Sequence, residues 1–265
     1  MTTEEPSCAI VRTPLAPVFA EPRVASAQIS QLVAGRYLDL LERRDDWYRI
    51  RGPDEYEGWL HRGYLSPAPG DGSRQSVHLD RVSLGCVTTD GDGGRRAMPL
   101  GSLLSPEERV NSGEAIGIAD RVTRFPSEAG AITRSAQLFF EGTSYLWGGV
   151  TPWGADCSGL VQTVFWLHGI QLRRDAWQQA EQGEHGDRDP LAARAADLLF
   201  FSDRVDRQIS HVAIALGNQR LVHLALGRGG YAVDNLSDER DPYVAKLRDR
   251  FVHARRVLTP TLLPD

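Results

Sequence analysis

Cysteine is scarce in this chain: three among 265 residues, Cys8, Cys86 and Cys157, far apart and odd in number. That pattern excludes a disulfide framework and a cysteine-rich metal cluster. Long apolar runs are also missing. None approaches the roughly 18 residues that a membrane-spanning helix needs, so no membrane insertion is expected. Basic residues are not in excess: 30 Lys and Arg stand against 35 Asp and Glu, for a net charge of -5. Pairs such as Arg173-Arg174 and Arg255-Arg256 stand isolated. Without a basic stripe or interleaved aromatic residues, no nucleic-acid partner is implied. The opening residues, Met1-Thr2-Thr3-Glu4-Glu5-Pro6, lack the basic and then apolar segments of an export signal. That fits a cytoplasmic protein or a chain that begins after a removed signal, and the first is the expectation.

What is present is an ordinary soluble composition, 41% hydrophobic and 25% charged. The length allows one large domain or two to three small ones. Residues 8–67 read as short strands broken by turns: Tyr37-Leu38-Asp39-Leu40-Leu41-Glu42, Trp47-Tyr48-Arg49-Ile50-Arg51, and, after a Gly52-Pro53-Asp54 turn, Tyr56-Glu57-Gly58-Trp59-Leu60. Such spacing suggests a small barrel. Trp47-Tyr48-Arg49-Ile50 followed by Gly58-Trp59-Leu60 resembles a bacterial SH3-like domain. Pro67 to Ser73 reads as a linker, and residues 76–126 return to short strands with Gly-rich turns, a second, variant SH3-like domain. Cys8 and Cys86 lie in apolar runs and read as small buried hydrophobes.

From about residue 130 helices precede strands, the order of an α+β domain. Ile132, Ala136, Phe139 and Phe140 keep a helical rhythm that Gly142 ends, and a second helix runs from Cys157 through Leu167 to His168-Gly169. Strands are expected over 197–201, 211–216, 220–225 and 250–257. The chain is thus divided into 1–70, 71–128 and 129–265.

A thiol needs local help to act as a nucleophile near neutrality. The start of a helix supplies it through unpaired N–H groups and the dipole, and Asp156 is the natural cap there. Gly154 and Gly159 would leave room for a substrate chain. An imidazole is the other source, and His211 stands at a strand edge after a polar loop. If Gly217-Asn218-Gln219 turns a hairpin, His223 stands beside it as the orienting group. The blander alternatives are a packed cysteine and half of a zinc site, although no further ligand stands at metal spacing. The remaining histidines, at 61, 78, 168, 185 and 253, show no partner pattern.

Residues 131–257 closely resemble the NlpC/P60 family of bacterial cell-wall peptidases. The matching elements are Tyr145-Leu146-Trp147-Gly148-Gly149, Ala155-Asp156-Cys157-Ser158-Gly159, Leu172-x-Arg174-Asp175, Asp197 to Phe201, His211-Val212-Ala213-Ile214 and Val222-His223. The resemblance implies an α+β, papain-like catalytic domain preceded by two small all-β SH3-like barrels. It makes Cys157 the nucleophile, His211 the base and acid, and His223 the orienting residue, with a supporting role for Tyr145. No metal or organic cofactor is implied. The implied substrate is the γ-D-glutamyl bond to meso-diaminopimelate or L-lysine in murein peptides. SH3-like domains ahead of the catalytic one resemble the dipeptidyl-peptidase VI type, which releases L-Ala-γ-D-Glu from peptides with a free N-terminal L-Ala during wall recycling. On that pattern Asp156 pairs with the L-Ala ammonium, Ser158 binds substrate backbone and Tyr64 closes the pocket. One departure is Ala176, where many relatives carry Ser or Thr. An exported autolysin with the same residues, an amidase or acyltransferase on the same fold, and a non-catalytic wall-peptide binder remain as alternatives.

Overall fold

Short β-favouring runs punctuated by Gly, Pro and Asp carry the first part of the chain into strands. The computed structural model describes residues 7–67 and 78–258 and divides the chain into two units between Arg121 and Val122. In the first unit, β1 (Cys8–Val11), β2 (Leu15–Phe19), β3 (Gln28–Val33), β4 (Tyr37–Arg44), β5 (Trp47–Arg51), β6 (Glu57–His61) and β7 (Leu65–Pro67) form one antiparallel sheet. Its order is β3-β2-β6-β5-β4-β1-β7. Alternate side chains, Val11, Ala16, Val18, Leu38, Ile50 and Leu60, fill its core.

The expected second barrel takes a different form. β8 (Arg81–Thr89), β9 (Arg95–Met98), β10 (Leu103–Leu104) and β11 (Arg109–Gly117) make a four-stranded sheet in which β8 pairs with the other three. Its buried cluster of Cys86, Met98 and Leu104 is joined by Ala34, from the turn after β3. The Leu103 N–H donates to the Ala34 carbonyl at 2.9 Å. The two sheets thus share an apolar contact and a backbone hydrogen bond. Residues 68–73 of the expected linker, and the 70/71 boundary with them, lie outside the described residues.

The second unit opens on α1 (Arg121–Arg124) and α2 (Ala129–Phe140), then β12 (Val150–Thr151) and β13 (Gly154–Ala155) as a two-stranded ribbon. α3 (Cys157–Leu167) and α4 (Ala176–Gln179) follow. The strands are β14 (Glu184–His185), β15 (Leu198–Phe201), β16 (His211–Gly217), β17 (Arg220–Ala225), β18 (Gly230–Asn235) and, after α5 (Pro242–Asp249), β19 (Phe251–Arg256). They form a six-stranded antiparallel sheet, β14-β19-β15-β16-β17-β18. α3 lies across β16 and β17, with Leu160, Val161, Val164, Phe165 and Leu167 fully buried. Residues 122–128, expected in the preceding domain, pack here: Phe125 stands against Phe139 and His168, and His168 Nδ1 bonds the Pro126 carbonyl at 2.7 Å. Among the described residues no helix is long and apolar enough to cross a membrane.

Candidate active site

α3 starts at Cys157, directly after its N-cap Asp156. Asp156 Oδ1 accepts the Gly159 N–H at 2.7 Å and Oδ2 accepts the Gly148 N–H at 2.9 Å. One carboxylate therefore ties the first turn of the helix to the Tyr145–Gly149 loop. The glycines here serve packing. A Cβ on Gly159 would sit 2.0 Å from the Gly149 carbonyl oxygen, and one on Gly154 would meet Leu146 Cβ at 2.9 Å. The room expected for substrate at these glycines is filled by the protein itself. Cys157 is buried, and burial above all, with the Asp156 charge second, pushes its thiol up to about 12. The backbone N–H groups of Val212 and Ser158 and the Arg174 charge act the other way. Val212 is the residue after His211, so the thiol meets the strand that carries the imidazole.

That strand is half of a hairpin. β16 and β17 pair through Ile214↔Val222 and turn at Asn218 and Gln219, both at positive φ. His211 and His223 fall on diagonal positions of one face, and His211 Nε2 lies 2.9 Å from His223 Nδ1. Behind them, His223 Nε2 lies 3.0 Å from Asp234 Oδ2 on β18. Asp234 Oδ1 accepts from Arg228 Nη2 at 2.7 Å, and Arg228 also pairs with Asp241, the N-cap of α5, while stacking 4.2 Å over the Tyr243 ring. Burial works against the charged form of Asp234, but bonds from His223 and Arg228 outweigh it and hold its pKa below the ordinary value. An ionised Asp234 only accepts, so the His223 proton resides on Nε2. His223 Nδ1 is then an acceptor, and His211 must donate from Nε2, leaving its own Nδ1 lone pair free. Burial above all, then the neighbouring His223 and the Arg250 charge, lower the His211 pKa well below 6.5.

Two expected substrate contacts are engaged elsewhere. Arg174, almost fully buried, bonds Asp156 Oδ1 at 3.1 Å and Oδ2 at 2.7 Å, and Ser158 Oγ at 2.9 Å. Ser158 Oγ also donates to Asp156 Oδ1 at 3.2 Å. With donors from Gly148, Gly159, Ser158 and Arg174, the roughly four lone-pair sites of a carboxylate are taken. In this structure Asp156 and Ser158 share one internal network with Arg174. In sequence Arg174 is only a motif residue; an arginine five positions after the helix-closing Gly169 gives no sign of burial. Asp234 and Arg228 carry no mark in the sequence, because the β18 run Gly230–Asn235 alternates too weakly to predict a strand.

Tyr145 is held between two segments: its N–H donates to the Gly229 carbonyl at 3.1 Å, and it bridges to Ala155. Burial, then the charges of Cys157 and Asp156, raise its phenol pKa, so it stays a hydrogen-bond donor. Tyr64 ends a short helical turn in the first unit, where it packs half-buried against the core of that sheet. Ala176 begins α4, which Asp175 and Gln178 close in a capping box. Among the described residues no group of three or more His, Cys, Asp or Glu side chains is arranged to hold a metal ion.

The NlpC/P60 family model matches residues 142–251, a span that contains Cys157, His211, His223 and Asp234, and the bacterial SH3 domain model matches residues 15–66. The chain is 35% identical over 229 residues to the gamma-D-glutamyl-L-lysine dipeptidyl-peptidase of Bacillus cereus, covering 73% of this chain and 66% of that protein. It is 38% identical over 86 residues to the protein of the same name in Bacillus subtilis, covering 32% of this chain and 28% of that one. The chain thus spans less than two thirds of the length of either relative. A crystal structure of an NlpC/P60 family protein from Bacillus cereus shares the fold, with a TM-score of 0.79 at 17% identity, covering 96% of this chain and 100% of that one. The chain belongs to the NlpC/P60 family of peptidases and carries a bacterial SH3 domain ahead of its catalytic fold.

Proposed function

We propose that the protein is a cysteine peptidase that cuts the γ-D-glutamyl bond to an L-diamino acid in murein peptides with a free N-terminal L-Ala, releasing L-Ala-γ-D-Glu. The observation that carries this reading is the His211–His223–Asp234 chain on β16 to β18, beside a buried Cys157 whose thiol meets the Val212 backbone next to His211. His211 takes the thiol proton on Nδ1 as the sulfur attacks the carbonyl. The helix-start N–H groups and the Tyr145 hydroxyl stabilise the oxyanion. The intermediate collapses to a thioester as His211 passes its proton to the leaving amine; water, deprotonated by the same imidazole, then frees the acid. Burial places single charges on the thiol or the imidazole at a disadvantage, so the pair works by moving one proton between its members.

The choice of bond is supported by the names of the two Bacillus relatives, both dipeptidyl-peptidases, which by definition remove two residues from a free amino end. Because such fragments are soluble, we assign the activity to cytoplasmic recycling of wall peptides. The test compares L-Ala-γ-D-Glu-meso-diaminopimelate and its L-lysine counterpart with the same peptides carrying an N-acetyl or muramyl cap, with Cys157→Ala as the control. Mass spectrometry should find free L-Ala-γ-D-Glu from the uncapped peptides alone. Efficient cleavage of capped peptides or of purified sacculi would overturn the recycling reading in favour of an exported autolysin.

A further inference from the structure

Beside His211 opens a cleft of about 450 Å³. Its walls bring together groups that the steps above leave idle. Lys246 and Arg250, one helical turn apart on and just after α5, line it together with Asp203, whose neighbour Ser202 donates its N–H to the Arg250 carbonyl at 2.9 Å. Leu226, three-quarters exposed, and the Tyr243 ring add apolar surface to the same lining. Among the described residues neither the Lys246 nor the Arg250 side chain has a hydrogen-bond or ion-pair partner. Asp203 is steadied by the Ser210 hydroxyl, which donates to its Oδ1 at 2.8 Å, and this bond, ahead of the Arg250 and Arg204 charges, keeps it ionised. Arg250 is close enough for its charge to bear on His211 and Tyr243 as well.

Position decides which end of a substrate this cleft can serve. The acyl group is bound to Cys157, on the α3 side. The leaving amine must lie against the imidazole that protonates it, so the rest of the leaving residue extends past His211. The cleft is there. Its charges are two cations and one carboxylate, with apolar surface from Leu226 and Tyr243 in the same lining. A leaving L-lysine, in a tripeptide, presents one carboxylate, an aliphatic stem and one ammonium. A leaving meso-diaminopimelate presents the same set plus a second carboxylate. Only the second uses both cations.

Building on the proposed function, we infer that this cleft is the subsite for the leaving diamino acid, that Asp203 receives its distal ammonium and Lys246 and Arg250 its carboxylates, and that the protein prefers meso-diaminopimelate to L-lysine. One cation serves the carboxylate common to both residues, and the other discriminates. Because Lys246 is exposed, the preference should lie at the low end for a charge-assisted contact, about tenfold in kcat/KM.

The experiment measures kcat/KM at low salt for the two uncapped tripeptides with the wild type and with Lys246→Gln, Arg250→Gln, Asp203→Asn and Lys246→Glu. The wild type is also assayed on L-Ala-γ-D-Glu p-nitroanilide, which has the scissile acyl group and no diamino acid. The expected result is a wild-type preference for the meso-diaminopimelate peptide that one of the two glutamine variants reduces to near parity. Asp203→Asn should lower both peptides, and Lys246→Glu should turn the preference towards L-lysine, an outcome that misfolding cannot imitate. A ratio that none of the variants moves overturns the subsite. Failure of the wild type to release p-nitroaniline and to cut either peptide would instead remove the proposed function on which the subsite rests.

Discussion

Asp234→Asn separates a carboxylate that sets a proton from one that merely packs. In the wild type Oδ2 faces His223 Nε2 at 3.0 Å and Oδ1 faces Arg228 Nη2 at 2.7 Å. Arg228 is a permanent donor, so an asparagine turns its carbonyl oxygen to Arg228 and its NH2 group to His223. A donor against Nε2 drives the His223 proton to Nδ1, where it points at His211. His211 must then accept on Nε2 and carry its proton on Nδ1, the atom that has to receive the thiol proton. The base is disabled although neither histidine has changed. The site has one escape, which is to turn the amide the other way and set NH2 against the guanidinium. A buried hydrogen bond lost in this manner costs about 1–3 kcal/mol. That escape caps the damage at about tenfold to hundredfold in kcat, since about 1.4 kcal/mol is a factor of ten, and keeps it below the full worth of a general base. KM should change little, because Asp234 stands behind the base and away from substrate. Steady-state kinetics on the uncapped meso-diaminopimelate tripeptide read the first effect, and imidazole 15N chemical shifts read the second, with the His223 proton moving from Nε2 to Nδ1. An unchanged kcat, or 15N shifts that leave the proton on Nε2, would refute the reasoning.

Three further outcomes are expected. His211→Ala should lower kcat/KM far more than His223→Ala on the same peptide, because only His211 moves protons; a larger loss at His223 would reverse the two roles. The His211 pKa lies well below 6.5, so the free base persists as pH falls through 6.5 and is lost only below that. The kcat/KM profile should therefore be flat through pH 6.5, and an acid limb centred at or above 6.5 would contradict it. Asp156→Asn should move thiol alkylation and peptide turnover together, since the carboxylate acts on the helix start and the thiol, and Arg174→Met should cost about 3–5 kcal/mol in denaturant melts by leaving a buried charge alone; loss of turnover with unchanged alkylation in the first would assign Asp156 to the substrate.

The parts legible in the sequence were those with a strong local signature. Asp156 followed by an apolar helical rhythm marked the start of α3, and Gly217-Asn218-Gln219 between two apolar runs marked the hairpin that brings His211 to His223. What stayed hidden depended on the third dimension. β18 is an edge strand whose sequence, Gly230-Tyr231-Ala232-Val233-Asp234-Asn235, alternates too weakly to stand out, so Asp234 had no visible partner. α5 is only eight residues long, although Asp241-Pro242 is a cap followed by a first-turn proline and could have announced it. Arg174 reads as surface in sequence and is buried because Asp156 and Ser158 meet it there. In the second sheet the strands are legible in the sequence, but not that Ala34, from the turn after β3, joins their apolar cluster.

Two buried carboxylates flank the reacting pair, and each is held by an arginine: Asp156 by Arg174 and Asp234 by Arg228. Buried ion pairs are weak sources of stability, because desolvation offsets most of the attraction. Their use here lies in direction. A bare carboxylate at Asp156 would cap the helix but would also set a negative charge one residue from a nucleophile that must become an anion. Arg174 opposes that charge at the thiol while leaving the cap's hydrogen bonds in place. On the other side, a bare Asp234 would draw a second proton onto the histidine pair and hold it there. With Arg228 bound, the carboxylate keeps its low pKa and still fixes which nitrogen of His223 carries the proton. In both places the arginine cancels the field of the carboxylate and preserves its geometry, which leaves the thiol and imidazole free to exchange a proton that neither neighbour has claimed.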